Sequence, residues 1–564
     1  MSVSMRGRSS LPKPGVRRIV YNDDGDGMQL YAKQGQVKQD MVAMIDEQFA
    51  TVPGIDTFAY CVSWAPVCTY RTKVGEILGN RLATDPSDFT GTYPRHYAAS
   101  IKELQVQDTD VLEIVTDRIH HHGAEAIASI RISDTHHRYP DPENPFVPQA
   151  LIDHPEWAIK RLDGIVEPAF DSSHPEVPAF RLAIIREIVE NYDVDGVELD
   201  FVRWGKNFAR HEAPFKVEIM DEFMGKVRTV LDEAAKKRGR ERLALGALVP
   251  SSLYLCLLGG LDPRCWVRNG WMDYLAQCEY NCTNMQIPAA EFAEFCLDSN
   301  CDHLVRMGYM LGGAWNGKPQ VTDRKVRHGT ATGYRSMLVE PDEARATAAN
   351  AYGFGADGIA YWNLCCHLRK IHDSSDEYRR RRRLITEWTR EIVSAENAFA
   401  DTRRYHFVPI YKNQSLPIRN YPVNDLRTGP LGSVAQIITF FPGCEGYRHI
   451  YRFLMADGRK GEELEGRLRC RILQSTLDDA FTLDLNGRPI DEARVRRDFV
   501  PDDELPAVWY EVDLAHCPAF VGDNELGITM IHQAAGSAHL EGEKFPYMEE
   551  IEVIVASSRS VERP

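Results

Sequence analysis

The stretch Val194–Trp204, VDGVELDFVRW, sets three acids and an arginine into a run that otherwise reads as a buried strand. Side chains alternate along a strand, so Val197, Leu199 and Phe201 share one face while Gly196, Glu198 and Asp200 share the other. Burying two carboxylates without partners would cost several kcal/mol each or force them to take up protons. Arg131 is the expected partner of Glu198; for Asp200 the structural alternatives are capping of the turn that follows and pairing with Arg203. The chemical alternative is sugar chemistry. A glycosidic bond needs two acidic groups in different protonation states, hydroxyls need bidentate acceptors, and sugar C–H faces need aromatic platforms.

Such residues must be held in place, and the chain supplies a recurring unit to do it. Eight short β-rich runs are predicted, at Arg18–Asp23, Thr57–Ser63, Glu125–Ser133, Asp195–Phe201, Leu243–Val249, Tyr274–Tyr280, His303–Met310 and Gly358–Asn363. Amphipathic helices are predicted at Lys38–Ala50, Val111–His121, Ala179–Tyr192, Pro214–Lys237, Ala289–Leu297 and Pro341–Tyr352. This rhythm predicts an α/β fold, a (β/α)8 TIM barrel over residues 15–398 with two long loops, 64–110 and 134–178, walling a cleft. The first run lacks the G-x-G-x-x-G turn of a dinucleotide-binding open sheet. From residue 402 to 560 the helical patterns vanish and short alternating runs appear, which predicts an all-β sandwich.

Barrel chemistry sits at the C-terminal strand ends. The residues expected there to contact substrate are Asp23 and Asp24 beside Asn22, then Trp64, Arg131, His136, His137, Arg203, Tyr309, Trp362 and Asn363. Glu198, Asp200 and Glu279 are the acids expected to react, with Asn281 close to the last of them.

Asp195-Gly196-Val197-Glu198-Leu199-Asp200-Phe201-Val202-Arg203-Trp204 resembles the D-G-[IV]-x-L-D-x-x-R-[YW] signature of the glycosyl-hydrolase-like barrel proteins, the family-10-like group, where it forms the fourth strand. Asp357-Gly358-Ile359 resembles the opening of the eighth strand of the same barrels. A looser resemblance is to chitinases, whose D-G-x-D-x-D-x-E would set the reacting Glu at position 202, where this chain has Val202. The later Asp484-Leu485-Asn486-Gly487 and Gly522-Asp523-Asn524-Glu525-Leu526 are similar to turns of the jelly-roll accessory domains that follow many glycosidase barrels, either as packing support or as carbohydrate binders. The resemblance implies a glycoside hydrolase of poly- or oligosaccharides. If the fourth strand supplies the nucleophile or ion stabiliser, as in α-galactosidase-like barrels, that residue is Asp200. Glu279 is then the general acid/base, with an ion pair to Arg306 as its structural alternative.

Two other classes compete. A non-catalytic carbohydrate-binding barrel would keep the aromatics without a facing acid pair. A metal-dependent hydrolase of amidohydrolase type needs H-x-H on the first strand, which here reads RIVYNDD. No cofactor or metal is implied: NDDGDG at 22–27 lacks the closing Glu of a calcium loop, and His120–His122 falls at a helix end on the far side of the barrel from the mouth. The Arg379–Arg383 run reads as a solvated helix face.

The 564-residue chain carries a net charge of −16 without a basic stripe, which argues against a nucleic-acid partner. It has no run of about 18 apolar residues, and its first residues do not read as a secretory signal. With thirteen cysteines and no C-x-x-C pair, a cytoplasmic protein with reduced thiols is expected. The expected partner is a carbohydrate substrate, with a homo-oligomer left open and no membrane partner.

Overall fold

The computed structural model describes residues 17–25, 32–64, 66–80, 93–135, 144, 146–203, 205–279, 283–311, 337–364, 376–407, 438–457, 464–501, 506–517, 519–534 and 545–556. Each predicted barrel run contains a strand: β1 (Ile19–Asp23), β2 (Thr57–Trp64), β3 (Glu125–Arg131), β4 (Gly196–Asp200), β5 (Ala244–Pro250), β6 (Tyr274–Cys278), β7 (Asp302–Met307) and β8 (Gly358–Trp362). Neighbours pair in parallel around the ring, and β1 closes it by pairing with both β2 and β8. The fold is a (β/α)8 barrel.

Helices α1 (Val37–Thr51), α2 (Val111–His121), α3 (Glu176–Asn191), α4 (Val217–Lys237), α5 (Ala289–Cys296), α6 (Pro341–Gly353) and α7 (Asp376–Glu391) alternate with the strands. Sequence periodicity overlooked the short helices Leu253–Leu258 and Pro263–Arg268 between β5 and β6. Both begin with a capping residue: Ser252 Oγ accepts from Leu255 N at 3.2 Å and Asp262 Oδ1 from Arg264 N at 3.1 Å. The long loops also carry order, a helix at Tyr93–Val106 and a hairpin of Ala158–Lys160 with Val166–Phe170. Among the described residues no helix is long and apolar enough to cross a membrane.

Two glycines explain how the barrel interior can hold acids. A Cβ on Gly196 would meet the backbone oxygen of Ala244 at 2.1 Å, so β4 approaches β5 only because that residue has no side chain. A Cβ on Gly246 would lie 2.0 Å from the ring of Tyr274, so β5 leaves room for that ring to lie inside the barrel. Val20, Leu248, Ala276, Cys278, Leu304 and Ala360 pack with Tyr274 in one buried cluster, marking the inward face of their strands.

Past Ala395–Ala398 the architecture changes to antiparallel strands: β9 (Arg403–Phe407), β10 (Ile438–Thr439), β11 (Arg448–Met455), β12 (Gly466–Leu473), β13 (Ala480–Leu485), β14 (Arg488–Pro489), β15 (Arg496–Val500), β16 (Ala507–Asp513), β17 (Gly522–His532) and β18 (Tyr547–Val555). One sheet runs β9-β18-β12-β16-β15, with β10 also on β18; the other runs β11-β17-β13-β14. Together they form the β-sandwich domain. The L-N-G sequence is a tight hairpin turn, Asn486 and Gly487 both lying at positive φ (55° and 75°). Gly522-Asp523-Asn524-Glu525-Leu526 was expected to be a turn and is instead the start of β17, where Asn524 is buried and its side chain bonds back to the backbone of Phe520.

Candidate active site

The three acids of the opening stretch occupy three levels. Asp195 precedes β4 on the far side of the barrel, where it accepts from Ala126 N and His120 and pairs with Arg240. Its job is structural. It holds β4 against β3, and burial is outweighed by these partners, so its carboxyl titrates below the usual range.

Glu198 lies inside the barrel and is completely buried. Asn22 Nδ2 donates to its Oε1 at 2.6 Å, Ser129 Oγ to the same oxygen at 2.9 Å, and Tyr274 OH to Oε2 at 2.9 Å. Arg131 is not its partner, contrary to expectation, and the strand register gives the reason: Ser129 lies opposite Glu198, whereas Arg131 lies opposite Asp200, one layer higher. Burial pushes Glu198 up to about 7; three uncharged donors oppose this, and the nearby Asp200 adds to it.

Asp200 ends β4 on the inward face and is 4% exposed. Its Oδ1 accepts from Val202 N at 2.8 Å and Arg203 N at 2.9 Å, so it does cap the following turn. Both of these bonds fall on the same oxygen. Burial raises its pKa; the charges of Arg306, Arg131 and Arg203, with the Arg203 N–H bond, pull the other way.

Above this layer Asp24 joins the arginines. Arg131 Nη2 lies 2.6 Å from Asp24 Oδ1, Arg203 Nη2 lies 3.1 Å from Oδ2, and Trp362 Nε1 donates to Oδ1 at 3.1 Å. The guanidiniums of Arg203 and Arg306 lie 5.3 and 5.4 Å from the Trp362 ring centre. Arg131 also reaches Asp134 (3.1 Å) and lies 5.6 Å from the Trp64 ring, which packs edge-on against Tyr97 and Phe146. Trp64 therefore supports Arg131 from behind. Asn363, at a φ of 49°, accepts from Asp24 N at 2.8 Å and fixes the turn that carries that acid.

Glu279 stands one residue beyond β6, at the rim. Its Oε1 accepts from Ser251 Oγ at 2.7 Å and Asn284 Nδ2 at 3.3 Å. The expected contact with Arg306 falls on the Glu279 backbone oxygen, not on the carboxylate. Burial raises the Glu279 carboxyl, against Ser251, Asn284 and the charge of Arg306. Cys278 takes the inward position of β6, and its thiol, pushed up to about 12 chiefly by burial, feels Arg306, Asp200, Glu279 and Glu198. Glu279 shares with Val202, Cys278, Pro250 and Ser251 the lining of a small cavity at the ends of β4, β5 and β6.

The structure thus gathers Asp24, Arg131, Asp200, Arg203 and Trp362 at one end of the barrel, with Glu198 beneath and Glu279 at the edge. Asp23 departs from expectation. Asp23 points into the helix layer, where Gln48 of α1 donates to it at 2.7 Å. Tyr309 is buried, with its backbone oxygen accepting from Val339 N. His136, His137, Asn281 and the last two residues of NDDGDG lie outside the described residues. Sequence reasoning missed Tyr274 and Asp134 and treated Arg306 only as an ion-pair partner, yet the alternation that turned Glu198 inward also turns Tyr274 and Arg306 inward.

No protein-family model matches the chain, and no curated protein does. Among solved structures, similar chains include the α-L-fucosidase isoenzyme 2 of Paenibacillus thiaminolyticus, at 12% identity and a TM-score of 0.38, with 70% of this chain and 52% of that one covered. This chain therefore spans about half the fucosidase's length. Another is the PgaB (BpsB) glycoside hydrolase domain of Bordetella bronchiseptica, at 10% identity and a TM-score of 0.39, covering 67% of this chain and 99% of that one. The Group II chitinase catalytic domain 2 of Ostrinia furnacalis aligns at 11% identity and a TM-score of 0.35, over 61% and 89% of the two chains.

Proposed function

We propose that the barrel is a glycoside hydrolase acting on a poly- or oligosaccharide, with Asp200 as nucleophile or ion stabiliser and Glu279 as general acid/base. The observation that carries this reading is the pair of buried carboxyls at the ends of β4 and β6, different in surroundings and within electrostatic reach of one thiol. Asp200 faces three guanidiniums, which favour its ionised form. Glu279 has hydroxyl and amide partners, and burial holds its proton to higher pH than a free Glu, as an acid that protonates a leaving oxygen requires. Strands β4 and β6 are separated by β5 alone, so their backbones stand about 10 Å apart, a spacing from which two carboxyls can straddle a sugar bond. Arg131, Arg203, Asp24 and Trp362 supply polar and aromatic surface for hydroxyls and C–H faces.

One observation favours a binding-only barrel: Cys278, and not Glu279, holds the inward position of β6. The two readings part in a screen of purified protein against a panel of polysaccharides and oligosaccharides, read by release of reducing ends. The proposal expects products from at least one glycan and a Glu279→Gln variant whose pH profile loses its alkaline limb. Binding without products across the panel would replace it by the lectin-like reading.

A further inference from the structure

Away from the barrel mouth, His406 on β9 and Glu550 and Glu552 on β18 form a second buried cluster, 2%, 5% and 5% exposed. Register makes it: His406 lies directly opposite Glu552, and Glu550, two residues earlier, shares the same face of β18. That face packs on α6 of the barrel, whose Glu343 accepts from His406 Nδ1 at 2.8 Å. The other Glu343 oxygen accepts from Glu340 N at 2.9 Å and so caps α6, which fixes the carboxylate in place. An ionised carboxylate only accepts, so Nδ1 carries a hydrogen, and Nε2 is the ring nitrogen turned toward Glu550 and Glu552.

Nε2 lies 3.3 Å from one oxygen of Glu550 and 3.8 Å from one oxygen of Glu552. It is aimed between them. Ligand bonds of about 2.0–2.1 Å at tetrahedral angles put neighbouring donor atoms about 3.3 Å apart, close to these separations. One donor atom from each of the three residues lies within 4.8 Å of the other two. The opposite oxygens are held from outside, Glu550 by Arg471 at 2.8 Å and Glu552 by Arg469 at 3.2 Å. Among the described residues the carboxylates of Glu340, Asp342, Glu343, Glu550 and Glu552 lie against the guanidiniums of Arg404, Arg469 and Arg471.

We propose that His406, Glu550 and Glu552 bind one divalent transition-metal ion, with zinc the best match to one imidazole nitrogen and two carboxylate oxygens, and that it clamps the sandwich to the barrel. Glu343 orients the imidazole from behind, the arrangement by which metal-ligating histidines are usually fixed. This site is independent of the sugar chemistry at the mouth.

The test uses the full chain, stripped with a chelator and then titrated with zinc against a chromophoric competitor. One equivalent should bind, and His406→Gln and Glu552→Gln should each abolish it. Glu343→Gln should weaken it by about 10- to 100-fold. X-ray absorption at the zinc edge of the wild-type protein decides the matter even if a variant fails to fold: nitrogen and oxygen ligands with one imidazole are expected. Zinc held through sulfur from any of the thirteen cysteines, or wild-type uptake no tighter than that of Glu552→Gln, would overturn the site and leave a protonated His406 bridging the glutamates.

Discussion

The barrel mouth and the barrel–sandwich seam both bury carboxylates, and they compensate them differently. At the seam, Arg403 grips Asp457 through two bonds of 2.7 and 2.9 Å, and Tyr405 OH adds a third at 2.6 Å. Arg469 and Arg471 cover Glu552 and Glu550 in the same manner. In the barrel, Asp24 pairs with Arg131 and Arg203, but Glu198 has hydroxyl and amide donors, Glu279 the same, and Asp200 uses backbone N–H groups while the guanidiniums stand further off. At the seam each of these carboxyls is bonded to a cation. Glu198 and Glu279, held by neutral donors, are raised by burial and keep their protons to higher pH than a free Glu. Burial alone does not mark a reacting acid; the kind of partner does.

Perturbing either side tests this contrast. Glu279→Gln should lower turnover by about 10²- to 10⁴-fold on substrates with poor leaving groups, the range for loss of a positioned acid, while melting temperature stays near that of wild type. Asp457→Ala should do the reverse, costing about 3–5 kcal/mol of unfolding free energy in denaturant titrations because a buried guanidinium loses its counter-charge, with kcat unchanged. An intermediate effect is expected at Glu198. Its folded-state carboxyl lies near 7 against an unfolded value of 4.5, so the stability that this one group contributes is fully present below about pH 4.5 and is lost as pH rises through 7. Glu198→Gln should flatten that slope, worth about 3 kcal/mol in all, when melts are compared from pH 4 to 8. The smallest effect belongs to the exposed pair Lys226–Glu222 on α4, where Glu222→Ala should change stability by less than about 0.5 kcal/mol. If Asp457→Ala impaired turnover as strongly as Glu279→Gln, the two regions would not be separable.

Much of the barrel was legible because its strands announce themselves by alternation and by turn residues. Alternation also fixed which way Glu198 and Asp200 point. It could not say which residues they meet, because that depends on register between strands: a difference of one layer gave Arg131 to Asp200's level and Ser129 to Glu198. Glu279 was harder still, since alternation ends with β6 and the rim sets the direction of the next side chain. In the sandwich, β11 and β15 are hard to read from sequence because RHIYRFLM and RRDFV keep arginines among their apolar residues. The seam was invisible in sequence for a related reason. His406 and Glu550 stand far apart along the chain, and RRYHF reads as an ordinary charged run until β18 is laid beside it.

Asp200 is the residue on which the account stands or falls. The decisive measurement sets wild type and Asp200→Asn side by side on a glycan that the wild type binds, with affinity by calorimetry and reducing ends by chemical assay. The account predicts retained binding in both, products from the wild type, and a loss of at least about 10³-fold in turnover by the variant. Equal turnover by the two proteins would contradict it.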